Sequence, residues 1–249
     1  MYRERLSGTH VRSESARRLQ QLLLNYHDFR YFKAEHRLRE DTRAIADWQA
    51  ARLKSTHQDL YQHPGYHSGL EFLLTDLYAP ANMTRRDDNI DRVFPKMVKW
   101  LPDPQLHMLA GLVELNLMTQ QLDLELAERL EELGNPAAGI TTEHYCEAYR
   151  ASRKLEQRRQ QMTLVATVGQ QLDHYVRKRS LGWLLSISRV PAERARLSDL
   201  HSFLHRGYSA FRKMDNAGLL VARLTAREER VMDNILNGYP NPFSLPRDL

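Results

Sequence analysis

Residues 104–133 read PQLHMLAGLVELNLMTQQLDLELAERLEEL. In the first half, Leu106, Leu109, Ala110, Val113 and Leu117 recur at the three- and four-residue steps of an α-helix. Most of the positions between them are apolar too. A helix that is apolar on most sides belongs in an interior, because any face turned to water would expose oil-like surface. The expected fold is therefore all-α, a multi-helix bundle of long amphipathic helices around this central apolar helix. Asp103-Pro104 opens the segment as an N-cap followed by Pro at the first helical position. Gly134-Asn135-Pro136 closes it. The most apolar run, 106–118, is too short to cross a bilayer and contains Glu114 and Asn116, so no membrane span is expected.

The flanking sequence repeats the helical pattern. Leu19, Leu22 and Leu23 share a face in 13–26. A long stretch over 28–61 carries the seam Leu38, Ile45, Trp48, Arg52. Leu70, Leu73, Leu74 and Leu77 form an amphipathic stripe in 67–78. Thr84 with Asp87 three residues on reads as a capped start, and the helix it opens buries Ile90, Val93, Phe94 and Met97. Pro95 inside it is expected to kink or divide it. Thr141 or Thr142 caps a helix running to about 177, and further helices cover 181–188, 198–214 and 217–236. Gly238-Tyr239-Pro240-Asn241-Pro242 cannot continue a helix, so 238–249 is expected to be an extended tail. The whole chain, 1–249, reads as one helical domain with a sub-boundary at 134–141.

Composition bounds the function classes. Hydrophobic residues make up 42% of 249, enough for a sizeable core, while 11 Gly and 10 Pro are too few for a turn-rich β fold. The net charge is +5, from 36 basic residues interleaved with 31 acidic ones. The basic clusters Arg17-Arg18, Arg158-Arg159 and Arg177-Lys178-Arg179 are scattered, which argues against a nucleic-acid surface. Cys146 is the one cysteine, so a disulfide within the chain or a cysteine zinc site is excluded. The N-terminus is polar, unlike a secretion signal, and a cytoplasmic location is expected.

The seams carry charge where apolar residues are due. Arg158 falls in the run Ala148, Ala151, Leu155, Arg158, Met162, Val165, Gly169, Leu172, Val176, and Arg52 does the same on its own seam. A guanidinium keeps its charge, so a buried one needs carboxylate partners. Glu114 flanks the face of the most apolar helix, and Asp123 lies further along it. Asp87 and Asp91 stand one turn apart beside Arg86, and two carboxylates at that spacing repel unless a cation lies between them. Arg52, Asp76, Arg86, Asp87, Asp91, Glu114 and Arg158 are the candidate ligand-binding residues. The competing reading is an ion network that only fixes helix register.

Other chemistry is sparse. His201 and His205 share a helix at metal-ligand spacing, but no third ligand is evident and no metal site is assigned. The paired Glu-x-x-His motifs of di-iron bundles are absent, as are the glycine-rich phosphate loop, the Gly-x-Ser-x-Gly elbow and His-Glu-x-x-His. Cys146 and His144 lie on diverging faces of one helix, which disfavours a nucleophile pair.

Phe72-Leu73-Leu74-Thr75-Asp76-Leu77-Tyr78 resembles the signature of the bacterial FFLEELY-motif proteins, an uncharacterised family. It departs at Leu73, Thr75 and Asp76. Arg85-Arg86-Asp87, Asp91-Arg92-Val93, Pro95-Lys96-Met97, Trp48-Gln49 with Arg52-Leu53, Glu114-Leu115 and Leu122-Asp123 are similar too. The resemblance implies an all-helical protein with no assigned activity.

The expected function is a cytoplasmic, non-enzymatic binding or assembly module, whose partner is another protein, a second copy or a small ligand. The alternative is a haem-oxygenase-like or ferritin-like bundle that binds a metal or small ligand. No catalytic residue or cofactor is assigned.

Overall fold

A computed structural model describes residues 2–78, 83–135 and 139–246, apart from the side chains of 77–89, 179, 180 and 184. In chain order the helices are α1 (Tyr2–Ser7), α2 (Glu14–Glu35), α3 (Arg39–Thr56), α4 (Gln58–Gln62), α5 (Pro64–Phe72), α6 (Met83–Trp100) and α7 (Asp103–Glu132). There follow α8 (Thr142–Ala151), α9 (Leu155–Val176), α10 (Arg179–Ile187), α11 (Arg189–Arg194), α12 (Ser198–Arg212) and α13 (Ala217–Leu236). Among the described residues there is no strand, and the fold is all-α.

The apolar helix α7 takes the central place, packing against α2, α3, α8 and α9. At 30 residues it is about 45 Å long, so it serves two cores. Its first half inserts Leu106 and Ala110 among Leu6, Leu19, Leu23 and Phe94 from α1, α2 and α6. Its second half packs Leu126 and Leu130 with Ile45, Tyr145, Ala148 and Ile235. A third cluster, with Leu70, Phe72, Phe211 and Leu220, joins α5, α12 and α13.

Local chemistry sets most boundaries. The Ser13 hydroxyl accepts from the Ala16 amide at 3.2 Å and starts α2. Thr141 caps α8 through the His144 amide at 3.3 Å. α7 begins at Asp103 itself, whose carboxylate accepts from the Ser15 hydroxyl at 2.8 Å. His63 caps α5 with Pro64 in the first turn, so His63-Pro64-Gly65 starts a helix as well as ending one.

Three expectations need correction. The 28–61 stretch is not continuous: α2 ends where His36 turns extended (ψ 137°), and the turn seats Leu38 beside Ile45 in the core. The helix from Thr141 is divided after Ala151, where Arg153 adopts a positive φ of 52° that few side chains tolerate. The Leu70–Leu74 stripe does not lie on one regular helix, because Leu73–Tyr78 winds as a π-helix. Pro95 sits within α6 without ending it. The capping role read for Thr84 and Asp87, and the place of Leu77, lie outside the described side chains.

Residues 239–246 are non-helical but fold back. The Asn234 side chain donates to the Pro242 carbonyl at 3.0 Å. Phe243 meets Trp48 and Tyr145 at ring centroids 6.0 and 6.1 Å apart. Among the described residues no helix is long and apolar enough to cross a membrane.

Candidate functional site

α3 carries Gln49 and Arg52 three residues apart on its inner face, and His57 ends the helix. On α13, Glu228 takes an inward position between Leu224 and Val231. Arg52 Nη1 donates to both oxygens of Glu228, at 2.6 and 2.7 Å, and His57 Nε2 donates to Oε1 at 2.7 Å. Burial alone would raise the Glu228 carboxyl. The Arg52 charge and the His57 hydrogen bond outweigh it and hold the group at about 2. The tail closes over this pair, with Phe243 lying 5.3 Å from the Arg52 guanidinium.

A second polar chain crosses from α8 to α7. Tyr145 Oη donates to Gln49 Oε1 at 3.0 Å, and Gln49 Nε2 donates to Asp123 Oδ1 at 2.6 Å. Asp123 is buried. Burial pushes its carboxyl up to about 7, because Gln49 and the charges of Arg158 and Lys33 offset only part of the lost hydration.

Arg158 on α9 is 6% exposed. Its guanidinium carbon lies over the Tyr149 ring, 3.7 Å from the centroid. Stacking satisfies the face of the group but not its in-plane N–H bonds. Nε and Nη2 have no hydrogen-bond acceptor among the described residues. Leaving such donors buried and unanswered is costly, so their environment matters.

Arg158 is among the residues that line a cavity of about 770 Å³. One wall is polar, with Gln49, Arg52, Asp123, Arg158, Gln161 and Glu228. The other end is apolar, with Leu70, Leu73, Leu115, Leu172 and Leu224 from five segments. Arg43 and Lys54, exposed on α3, stand at its rim. The size and the mix of apolar lining with a few convergent polar groups suit a small-molecule site.

Arg52 and Arg158 therefore meet one space, while the other candidates are used elsewhere. Glu114 pairs with Arg18 of α2, not with Arg158. Asp91, 4% exposed, accepts from Arg5 of α1 at 3.1 Å. Asp76 pairs with Arg206 of α12. The side chains of Arg86 and Asp87 lie outside the described residues. His201 Nε2 is bonded to the Leu185 carbonyl at 2.8 Å. Among the described residues no group of three or more His, Cys, Asp or Glu is placed to share a metal ion.

Gln49, His57 and Glu228 are wall residues that the sequence reading missed. Glu228 carried the same signal as Arg158: it falls in the α13 stripe Val221, Leu224, Glu228, Val231, Ile235. Its neighbours Arg227, Glu229 and Arg230 disguise it as part of a solvated face.

Fold and site together define an all-helical protein with a cavity that opens along α3, polar on one wall and apolar at the other end. The chain belongs to the family of a domain of unknown function (DUF8198), whose model matches residues 28–242. That span takes in every wall residue named above and leaves α1 outside. No curated protein and no solved structure matches the chain.

Proposed function

We propose that this protein is a non-enzymatic binding module that holds a small molecule in the cavity between α3, α7, α9 and α13. The carrying observation is the cavity of about 770 Å³ itself, which sets the buried Arg158 and the Arg52–Glu228 pair on one wall and leucines from five segments at the other end. In this reading Arg52 and Arg158 are the binding cations. Asp76, Asp91 and Glu114 tie helices together, each through an arginine from another element. The lone buried thiol, Cys146, suits a reducing, cytoplasmic setting. The FFLEELY resemblance fits, since Trp48-Gln49, Arg52 and Leu122-Asp123 all fall at or beside the polar wall.

The test uses anilinonaphthalene sulfonate, a fluorescent probe that is both anionic and apolar. The folded protein is expected to bind one equivalent saturably. Val165→Trp, which fills the cavity from α9, is expected to abolish that binding while leaving the helical circular dichroism intact. Absence of saturable binding to the wild-type protein, or undiminished binding to the folded Val165→Trp variant, would overturn the proposal.

A further inference from the structure

We infer that α10 and α11 form a docking face for an anionic membrane surface, on which the protein lies without crossing the bilayer. This goes beyond the cavity reading and does not depend on it.

The charge of the chain is concentrated there. Residues 177–196 hold six basic residues, Arg177, Lys178, Arg179, Arg189, Arg194 and Arg196, against one acid, Glu193. That surplus of five equals the net charge of all 249 residues, so the rest of the chain is balanced. Arg177 pairs with Asp173, and Arg189 with Glu193. Lys178, Arg194 and Arg196 are exposed, with no acid paired to them among the described residues.

The same segment leaves an apolar stripe in water. Trp183, Ile187 and Val190 stand at i, i+4 and i+7 and are 66, 49 and 52% exposed. Ser188, between the two helices, keeps near-helical angles (φ −80°, ψ −5°), so the spacing carries across. Arg194 continues the stripe one turn on. The opposite face is fastened down. Gly182 leaves no room for a Cβ beside the Tyr208 hydroxyl of α12. Leu185 is buried, and its carbonyl bonds to His201 at 2.8 Å. Packing therefore fixes which side of α10 turns outward, and that side is apolar.

A lipid surface answers both features. Anionic head groups attract the basic residues, and the boundary with the acyl chains takes up the apolar stripe, with the Trp183 ring at head-group level. A second copy of the chain would set one basic surplus against another. A nucleic acid would gain stacking from Trp183, but Ile187 and Val190 have no ring to stack on a base.

The test is co-sedimentation of the full chain with lipid vesicles. Vesicles of equimolar phosphatidylcholine and phosphatidylserine should bring the protein down, and phosphatidylcholine alone should bring down far less. Added salt should weaken the binding. Trp183→Ala should weaken binding to the anionic vesicles by about tenfold, the effect of losing one large apolar side chain from the interface. Arg194→Gln with Arg196→Gln should weaken it by about 25-fold, about fivefold for each charge. All three positions are exposed, and helical circular dichroism checks that the variants fold. Failure of the wild-type protein to bind anionic vesicles, or equal binding to neutral ones, overturns the inference, and that comparison needs no variant. Binding that Trp183→Ala leaves unchanged overturns it as well. The face would then recognise charge alone, as an acidic protein or a nucleic acid supplies it.

Discussion

Replacing Asp123 with Asn should stabilise the protein, and should do so increasingly as the pH rises. Asp123 is buried in α7 and its carboxyl is pushed from an ordinary 3.8 up to about 7, chiefly by burial. Ionising it in place therefore costs about 4 kcal/mol more than in the unfolded chain. Between the two values the native state holds the proton that the unfolded state has lost. Stability must then fall as pH rises through that window and level off above about 7. Summed over the titration, the penalty is about 2 kcal/mol near pH 5 and about 4 kcal/mol near pH 8. Asn removes the charge but keeps an oxygen that can accept from Gln49 Nε2, now at 2.6 Å. The assay is urea denaturation of both proteins at several pH values in that range. The advantage of Asp123→Asn should widen by about 2 kcal/mol from the acid to the alkaline end. A difference that stays constant with pH would refute the reasoning, since a packing effect has no proton linkage. So would an advantage that shrinks as pH rises.

Glu228→Gln should act in the opposite sense, costing about 3–5 kcal/mol near neutral pH because Arg52 and His57 would face a neutral amide; urea midpoints measure it, and a neutral substitution would refute it. The Glu228 carboxyl is held at about 2, so its contribution in the wild type is present above the ordinary carboxylate range and lost as pH falls towards 2. Gly169→Ala should destabilise by about 1–3 kcal/mol, since its Cβ would lie 2.6 Å from Val221 Cγ2 where α9 crosses α13; an unchanged thermal midpoint would show that the crossing yields freely. Cys146 should resist Ellman's reagent in the folded protein at mildly alkaline pH and react promptly in guanidinium, because burial pushes its thiol up to about 11 and leaves little thiolate. Rapid labelling of folded protein would contradict its placement.

What the sequence shows of this fold depends on how local the cause is. The central place of α7 is legible because its own residues exclude water-facing sides. Thr141 is legible because a cap bonds three residues ahead. The turn at 36–38 carries neither Gly nor Pro, and its cause is Leu38 reaching a core built from distant segments. Arg153, in left-handed backbone between α8 and α9, likewise carries no local mark. The site divides the same way. Periodicity places Arg52 and Arg158 on buried seams, and the same rule applied to α13 reaches Glu228. Pairing is not periodic: Glu114 finds Arg18, and Asp91 finds Arg5, because α2 and α1 are the helices that arrive beside them. The seam also did not distinguish a side chain packed in a core from one bordering a cavity, since both call for the same spacing.

Phe243 is one residue beyond the end of the family match, yet it covers the outer side of Arg52. The ring acts as a clasp fastened by a strand of chain that belongs to no helix. Anything that engages the C-terminal segment, whether a protease, a fused tag or a neighbouring domain, thereby has mechanical access to the Arg52–Glu228 pair without entering the cavity. The end of the chain is thus a handle on its interior.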